Sequence, residues 1–428
     1  MSAPGSYTRT VLVIAYYFPP LGLSGVQRTL KFVKYLPQFG WQPIVLTVTP
    51  TGYYAQDYTL LDELHHLHID IVRVGSLDPN RLFRKKGVVK MPSEPWRKVL
   101  TFLSDTLFVP DNKIGWKRKA LETVVKMSEE KPIDAIFATA PPYTDFLIGA
   151  ELKKRLGKPL VLDYRDAWHE NPFKYYPTPL HKLWNYKLEK AVLHSSSKII
   201  TTNRRVKELL LRRFKFLSYD DVIILPQGYD PQDFSDSKSP AVARTHKMRI
   251  THAGVFYGDR SPRYFFEALR KVFTDYPELK GRIEACFVGN FHDKFLKMIT
   301  SMGLEGDVTT TGYLDHQHCV QYLVSSDVLW VMLNNDSQSP GKVYEYMGAR
   351  KPVLACVPDG FIRDTLRETD ASTITDPTDV AGIASGILNM YRLFEQNRLP
   401  KPREDVVQKY DRVKLTGELA KILRFLVD

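Results

Sequence analysis

Short apolar runs rich in valine and isoleucine recur along the first half of the chain, with room for a helix between successive runs. These runs cover residues 11–16, 43–48, 69–74, 133–138, 159–163 and 198–202. Continuous apolar runs of this length, separated by helical stretches, are typical of buried parallel strands joined by crossover helices. The first half is therefore predicted to form a doubly wound α/β sheet.

The same rhythm begins again in the second half of the chain. Its apolar runs cover residues 248–253, 282–289, 307–313, 327–333 and 352–357, and they predict a second parallel sheet. Residues 226–241, between the halves, are rich in Pro, Asp and Ser and lack an apolar period, as an interdomain linker does. We predict a first domain over residues 1–230, a second over 231–402, and a C-terminal helix within 403–428 that could cross back to the first domain.

Length and composition fit a two-domain globular protein, with 428 residues of which 43% are hydrophobic. The longest nearly unbroken apolar run, 11–23, contains two prolines and is shorter than the ~20 residues that span a bilayer. The N-terminus has no charged region followed by an apolar core, so a cytoplasmic protein is expected. The three cysteines lack the paired spacing of a zinc site and are expected to be reduced and buried.

The net charge of +12 is partly concentrated in one segment. Residues 81–119 carry eleven Lys or Arg against three acids, with aromatic and aliphatic side chains between them. Basic side chains interleaved with aromatic ones suit an anionic membrane surface better than a DNA groove. The segment predicts peripheral binding at the inner face of the membrane and no nucleic-acid partner. A solvated basic face without a partner is the alternative.

A ligand-binding helix start is predicted within residues 339–355, SPGKVYEYMGARKPVLA. Its serine can cap the first backbone N–H groups, the proline fits the first helical turn, and Gly341 lets a ligand approach the backbone. Lys342 and Glu345 lie three residues apart and so share one helix face. This face could hold a diphosphate and a sugar hydroxyl. An exposed Lys–Glu pair on an ordinary helix is the alternative.

A second Gly-containing loop is predicted after the first strand of the second half, at the carboxyl end where ligands collect in open α/β sheets. It contains Gly254 and Gly258, then Arg260, and leads into another Ser-Pro helix start at 261–262. Two helix N-termini together with Arg260 and Lys342 would hold a diphosphate and stabilise it as a leaving group. Pairing of Arg260 with a neighbouring acid is the alternative.

The loop after the first strand of the chain is built in a similar way. Gly22 and Gly25 precede a helix whose start has the form of a capping box, with Ser24 followed three residues later by Gln27. The backbone amides of this loop can face a ligand. Gly-containing turns of this kind are also common for purely structural reasons.

Taken together, these segments resemble the retaining glycosyltransferases of family 4, which have the GT-B fold of two Rossmann-like domains facing across a cleft. The resemblance covers most of the chain and is carried by FPPLGLSGVQR (18–28), DYRDAW (163–168), LPQGYD (225–230), AGVFYGDRSP (253–262), FVGN (287–290), TGYLDH (311–316) and PGKVYEYMGARKPVLA (340–355). It implies an α/β GT-B enzyme that binds a nucleotide-sugar.

The resemblance also implies roles for individual residues. Glu345 would hold the ribose hydroxyls, Tyr313 and Leu314 would border the base, and Arg260 would contact the diphosphate. The implied donor-binding residues are Gly22, Gly25, Gly258, Arg260, Gly289, Tyr313, Leu314, Gly341, Lys342 and Glu345. No cofactor is expected beyond the nucleotide-sugar co-substrate.

The chain departs from the family pattern at two positions. Many members have a second glutamate eight residues before the first, near the donor sugar, and this chain has Ser337 there. Many also have a phosphate-binding lysine five residues after the arginine, where this chain has Phe265. Lys342 or Arg263 would have to replace that lysine.

Candidate catalytic residues of the first domain lie in the segment DYRDAWHE, residues 163–170. Asp166 or His169 could orient the acceptor hydroxyl or accept its proton, and Arg260 and Lys342 complete the predicted catalytic set. Alternatively, Arg165 and Asp166 only stabilise the turn between strand and helix. No metal is expected, because a DxD motif in a nucleotide loop is absent.

We therefore predict a retaining, hexosyltransferase-type glycosyltransferase that acts on a glycan or lipid-linked acceptor in cell-surface polysaccharide or glycolipid synthesis. Same-face attack, with the departing phosphate assisting deprotonation, is favoured over a covalent intermediate. Two alternatives stay open: a nucleotide-sugar 2-epimerase, and a non-catalytic subunit that binds a nucleotide-sugar or a membrane. A dinucleotide oxidoreductase is disfavoured, because neither half has GxGxxG after its first strand.

Overall fold

The computed structural model describes residues 9–22, 25–50, 56–77, 94–171, 174–235, 246–256, 260–336 and 339–428. The chain forms two compact units. Unit 1 comprises Met1–Pro226 together with Val413–Asp428, and unit 2 comprises Gln227–Arg412. Each unit contains one parallel β-sheet with helices packed on it.

The sheet of unit 1 has seven strands in the order β3-β2-β1-β4-β5-β6-β7. The strands are β1 (Arg9–Ile14), β2 (Trp41–Val48), β3 (Asp70–Val74), β4 (Ala135–Ala140), β5 (Leu160–Tyr164), β6 (Lys198–Thr201) and β7 (Val222–Ile224). All neighbouring pairs are parallel. The central strands are buried on both faces, which explains their continuous apolar runs.

The sheet of unit 2 has six strands in the order β10-β9-β8-β11-β12-β13, again all parallel. The strands are β8 (Met248–Ala253), β9 (Ile283–Val288), β10 (Val308–Gly312), β11 (Val328–Met332), β12 (Val353–Cys356) and β13 (Ser372–Thr375). The predicted pair of doubly wound sheets is thus confirmed. The short strands β7 and β13, which lie at the sheet edges, were not predicted.

Sixteen α-helices connect and cover the strands of the described residues. They are α1 (Gln27–Tyr35), α2 (Thr59–Asp62), α3 (Glu94–Leu107), α4 (Lys117–Ser128), α5 (Thr144–Leu156), α6 (Pro179–Ser195), α7 (Arg204–Arg213), α8 (Pro231–Ser235), α9 (Arg263–Asp275), α10 (Asp293–Ser301), α11 (His316–Ser325), α12 (Gly341–Gly348), α13 (Phe361–Arg367), α14 (Val380–Glu395), α15 (Glu404–Val407) and α16 (Arg412–Val427). Where the chain is described, no helix is both long and apolar enough to cross a membrane.

The last helix, α16, belongs to unit 1 although it follows all of unit 2 in the sequence. Leu415, Leu419 and Leu423 are buried in the same apolar core as the strands of the first sheet. Phe39 lies so close to this helix that a Cβ at Gly417 would be 3.0 Å from its ring. The helix is therefore an integral part of the core of unit 1.

Two sequence-based expectations need correction. The predicted linker 226–241 contains helix α8, and Tyr229 within it is buried in the core of unit 2. Trp116 is one of the aromatic residues of the basic segment 81–119, which was expected at a membrane surface, but it is fully buried in unit 1, where its ring meets that of Tyr16 edge-on. Two cysteines, Cys286 and Cys356, are buried free thiols as expected, whereas Cys319 is half-buried.

Candidate functional site

The strand order of unit 2 reverses between β8 and β11, which makes the carboxyl ends of these strands a topological switch point. Ligands of open α/β sheets bind in the crevice outside such a point. Tyr346 of α12 holds this helix against both strands. Its hydroxyl accepts a hydrogen bond from Ala253 N at 2.9 Å and donates one to Trp330 O at 3.3 Å. The start of α12 is thereby positioned by two buried contacts.

Three glycines end the neighbouring strands β8, β9 and β10, and all have a positive φ: 112° for Gly254, 126° for Gly289 and 72° for Gly312. Their backbones lie close together. The amide of Gly289 donates to Gly312 O at 2.9 Å, and a Cβ at Gly289 would lie 3.1 Å from Gly254 O. All three positions therefore favour glycine for conformation, and Gly289 requires it for space as well. Gly289 and Gly254 were predicted as parts of ligand loops.

Helix α12 begins without a side-chain cap. Pro340 occupies the N-cap position rather than the first turn, and Ser339 Oγ hydrogen-bonds the Tyr344 hydroxyl at 2.7 Å instead of a backbone amide. The predicted serine cap is therefore wrong, because a buried tyrosine competes for the serine. A Cβ at Gly341 would meet nothing within 4 Å. Uncapped N–H groups beside open space form a start suited to an anion.

Lys342, on the first turn of α12, reaches the end of β8. Its Nζ lies 3.2 Å from His252 Nε2, and a Cβ at Gly254 would come within 2.9 Å of the same Nζ. His252 Nδ1 lies 3.0 Å from the carbonyl oxygen of Trp330. A carbonyl can only accept, so Nδ1 carries the proton and Nε2 accepts from the lysine. His252 thus orients the Lys342 ammonium beside Gly254, at the end of β8.

Burial and neighbouring cations disfavour the charged forms of Lys342 and His252. Burial, reinforced by the charge of Arg260, lowers the pKa of Lys342 to about 7. Burial also lowers the pKa of His252 well below its usual range, with the Lys342 charge acting in the same direction. Glu345, half-buried on the same helix, acts oppositely and favours the charged lysine. A bound anion would relieve this repulsion.

The other predicted residues of unit 2 are distributed as follows. Tyr313 and Leu314 are half-buried and directly follow β10, next to the start of α11. Gly258 and Ser337 lie outside the described residues. The second Ser-Pro pair directly precedes α9, and here Ser261 Oγ accepts from the backbone N of Arg263 at 3.2 Å.

The structure also separates the two candidates for the missing phosphate-binding lysine. Phe265, at the family's lysine position, is buried and stacks on Trp330 with ring centroids 4.4 Å apart. Arg263 is exposed and pairs with Glu267 on its own helix at 2.7 Å. Lys342 is the candidate that lies at the strand ends.

The strand ends of unit 1 are organised differently, around a buried ion pair. Arg28 and Asp163 are both fully buried and meet at 2.8 Å. Thr139 also donates to the carboxylate at 2.9 Å, and the guanidinium donates to the carbonyl oxygens of Leu225 and Pro226 at 2.9 and 2.7 Å. Asp163 is therefore occupied by structural contacts.

Arg165 has a structural role as well. Its guanidinium donates to the carbonyl oxygens of Gly25 and Pro141, and its Nε to that of Ala140. These contacts tie Arg165, at the end of β5, to the loop after β1 and to the end of β4 rather than to the turn that follows its own strand. Gly25 is exposed and Gly22 is buried.

Ser24 of the predicted capping box lies outside the described residues. Helix α1 starts at Gln27 with Val26 as its N-cap and no side-chain cap. Gln27 is therefore the first helical residue rather than the third, which contradicts the predicted box.

His169 and Asp166 lie beyond the end of β5. Asp166 is half-buried and His169 is buried, with a pKa lowered to about 4 by burial and by the charge of Arg213. Next to it, burial raises the pKa of Glu189 to about 8 and lowers that of Lys174 to about 8. His169 Nδ1 and one carboxylate oxygen of Glu189 have no hydrogen-bond partner among the described residues. At neutral pH, His169 is neutral and its free ring nitrogen can accept or donate a hydrogen bond according to the tautomer, whereas its low pKa disfavours taking up a proton.

Sequence reasoning missed two residues at these strand ends. Arg28 lies within the motif FPPLGLSGVQR, but its partner Asp163 is 135 residues away. His252 contacts Trp330 and Lys342, which are 78 and 90 residues distant. The available signal was a polar residue inside an otherwise apolar strand. In β8 this residue is His252 itself, and in β5 it is Asp163, the partner of Arg28.

Comparisons with known proteins agree with this geometry. The family model described as Glycosyltransferase Family 4 matches residues 24–233, and the model described as Glycosyl transferases group 1 matches residues 247–392. A comparison with curated proteins gave no match.

Among solved structures, the chain is similar to a glycosyltransferase from Rickettsia africae ESF-5, with a TM-score of 0.66 and 15% identity over 98% of this chain and 99% of that chain. It is also similar to Anabaena Alr3699/HepE in complex with UDP and glucose (TM-score 0.67, 14% identity, 98% and 100% covered). A third is WaaG, a glycosyltransferase involved in lipopolysaccharide biosynthesis (TM-score 0.60, 13% identity, 96% and 99% covered). At these identities the likeness shows the fold.

Proposed function

Because the chain is a glycosyltransferase of the GT-B type, we propose that it transfers a sugar from a nucleotide-sugar to a hydroxyl acceptor with retention at the anomeric carbon. The observation that carries the proposal is the placement of the Lys342 ammonium beside Gly254, at the uncapped start of α12. Lys342 and Arg260 repel each other beside the uncapped start of α12, an arrangement that favours a bound diphosphate. The solved structure of Anabaena Alr3699/HepE with UDP supports a nucleoside diphosphate as the anion.

In this proposal each part of the donor has its own partner in unit 2. The diphosphate binds Lys342, Arg260 and the first N–H groups of α12. Glu345 accepts hydrogen bonds from the ribose hydroxyls, and Tyr313 with Leu314 borders the base. Cations placed at the diphosphate stabilise the charge that develops there as the sugar leaves. The donor is a co-substrate, and no further cofactor takes part.

The chemical step breaks the bond between the anomeric carbon and the phosphate oxygen, and that oxygen keeps the electron pair. The acceptor oxygen attacks from the same face, and its proton passes to the departing phosphate, so that charge and atoms balance. In unit 1, Asp166 and the neutral His169 orient the acceptor hydroxyl. The acceptor is a glycan or a lipid-linked sugar of cell-surface polysaccharide or glycolipid synthesis, which the lipopolysaccharide role of WaaG supports.

Donor binding is tested with a panel of nucleoside diphosphates and nucleotide-sugars in thermal shift assays. A ligand at 100 times its dissociation constant stabilises its protein by ~2.7 kcal/mol, which raises the melting temperature measurably. Glu345→Ala should lose this shift, because the ribose hydroxyls lose an ionic acceptor. Glu305→Ala, which removes an exposed glutamate elsewhere in unit 2, is the matched control. Equal shifts in both variants would contradict the assigned role of Glu345.

Transfer and stereochemistry are tested by NMR of the product. The anomeric coupling constant of the new glycoside should match that of the donor sugar. A product of inverted configuration would contradict retention. Consumption of the donor without any acceptor, giving a sugar epimerised at C2, would establish the epimerase alternative instead.

A further inference from the structure

Helix α3 presents an apolar stripe to solvent. Val99, Leu103 and Leu107 recur every fourth residue and so lie on one face, and Leu100 lies beside them. All four are exposed, Leu107 by 72% of its surface. A surface helix normally turns such a stripe toward the core. Among the residues that the structure describes, this stripe is therefore left open to an apolar partner.

The first turns of α6 continue the same surface. Leu180, Leu183 and Trp184 have the spacing of one helix face and are exposed, Leu180 by 75% and Trp184 by 59%. His181 of α6 joins the two helices, since its Nε2 lies 3.1 Å from Thr106 O of α3. Tyr175, in the segment before α6, adds a second contact with α3, where its ring lies 5.6 Å from that of Phe102. The resulting α3–α6 patch comprises Val99, Leu100, Phe102, Leu103, Leu107, Tyr175, Leu180, Leu183 and Trp184.

The exposed charged residues of α6 all carry one sign, and Asp105, which lies between Leu103 and Leu107 on α3, is half-buried. Lys182, Lys187 and Lys190 are exposed, whereas the acid of this helix, Glu189, is buried. An apolar face bordered by lysines and carrying exposed Trp and Tyr matches the boundary between lipid headgroups and acyl chains. The lysines would lie at the level of anionic headgroups.

We propose that the α3–α6 patch docks unit 1 on an anionic lipid surface, with its leucines and Trp184 entering the headgroup region and Lys182, Lys187 and Lys190 contacting lipid phosphates. The inference places the membrane surface, which the sequence assigned to residues 81–119, on α3 and on a helix outside that range. It excludes Trp116, which is buried. It also explains why residues of α3 stay apolar on their exposed face.

A second copy of the chain fits this patch less well. An interface with twofold symmetry places the same surface of both copies face to face. The lysines that border the patch would then be brought near their own copies, and like charges at an interface are unfavourable. The positive charges of Lys182, Lys187 and Lys190 therefore favour a negatively charged partner over self-association.

The test is flotation with vesicles of phosphatidylcholine, with and without phosphatidylglycerol, without donor or acceptor. The parent should float with the anionic vesicles. Leu103→Gln with Leu183→Gln should lower the partition coefficient by about tenfold or more, since two large side chains lose burial. Lys182→Gln, Lys187→Gln and Lys190→Gln together should remove the dependence on phosphatidylglycerol and on salt.

Matched controls are Leu296→Gln and Phe425→Gln, which remove exposed apolar side chains from α10 and α16. They should float like the parent. Acyl-brominated lipid should quench a fluorescence component that Trp184→Phe lacks. No flotation of the parent, equal loss in patch and control variants, or a patch variant that changes self-association but not flotation would overturn the proposal.

The glycosyl transfer proposed above is measured separately. Each patch variant should retain the thermal shift with UDP, which reports on unit 2 and on folding. If the parent transfers sugar but does not bind lipid, only the docking surface is refuted. If it binds lipid but does not transfer sugar, only the proposed function is refuted.

Discussion

The carboxyl ends of the two sheets use charge in opposite ways. In unit 1, the buried Arg28 guanidinium is neutralised by Asp163 and by two carbonyl oxygens. In unit 2, Lys342 is oriented by an uncharged histidine and is repelled by Arg260. The first arrangement pairs its cation directly with a buried carboxylate, whereas in the second the Lys342 ammonium contacts a neutral ring and is repelled by a second cation.

This difference shows why similar strand ends need not have similar functions. A buried ion pair with complete hydrogen bonding holds its segments in one geometry and has little capacity left for a ligand. A lysine whose pKa is lowered to about 7 holds its proton weakly, and a bound anion stabilises its charged form. Charge balance therefore distinguishes the scaffold from the candidate binding site.

The largest expected effect is on the stability of unit 1. Arg28→Met should lower the free energy of unfolding by about 3–5 kcal/mol, because it leaves the Asp163 carboxylate buried and unpaired. Arg204→Met, which breaks the exposed pair with Glu208, should cost below about 1 kcal/mol. Urea unfolding measures both. A small effect at Arg28 would break the distinction between the two strand ends.

The next effect is on catalysis. Lys342→Met should lower kcat/KM by about 10²–10³-fold, the loss typical of removing one group that stabilises developing negative charge. Stability should change little, since a half-buried ammonium is replaced by an apolar side chain. Lys271→Met, on the surface of α9, is the control. Steady-state kinetics measures the effect. Full activity in the Lys342 variant would show that the diphosphate binds elsewhere.

Gly254→Ala should weaken UDP binding by about tenfold, or ~1.4 kcal/mol. The added Cβ would lie 2.9 Å from Lys342 Nζ and so displace it. Gly281→Ala provides a matched control, because Gly281 also has a positive φ, of 79°, but open space around its Cβ position. Titration calorimetry should show normal UDP affinity in that control. Equal weakening in both would contradict displacement of the lysine as the cause.

The smallest effect is a pH dependence of donor binding. With the pKa of Lys342 at about 7 in the free protein, raising the pH deprotonates the ammonium before UDP binds. A bound diphosphate raises that pKa, so binding above pH 7 takes up a proton and weakens with pH. The dissociation constant should rise about fivefold between pH 7 and 8. Calorimetry in buffers of different ionisation enthalpy measures the proton, and Lys342→Arg should abolish its uptake.

Most of the fold was predictable from the sequence because parallel strands that are buried on both faces consist of continuous apolar runs. The exceptions, β7 and β13, are short edge strands whose sequences VII and STIT give too little pattern. Local signals also located both Ser-Pro helix starts. They did not give the capping geometry, because the Ser339 hydroxyl is taken by Tyr344, a contact that depends on packing.

The candidate sites were predictable only as far as they are local. Lys342 and Glu345 share one turn, so their common face follows from helical spacing. The roles of His252 and Arg28 depend on partners far along the chain, and no short pattern encodes such pairs. Trp116 shows that a local pattern can also mislead. Its basic neighbours indicated an exposed surface, but tertiary packing buries its ring.

The position of α16 has a consequence for biosynthesis. Residues 227–412 must leave the ribosome after the strands of unit 1 and before the helix that completes its core. At ~5–20 residues per second, this takes on the order of 10–40 seconds. During that time the core surface that later contacts Leu415, Leu419 and Leu423 is exposed. Chaperone binding to nascent chains should accordingly persist until residues 413–428 have emerged.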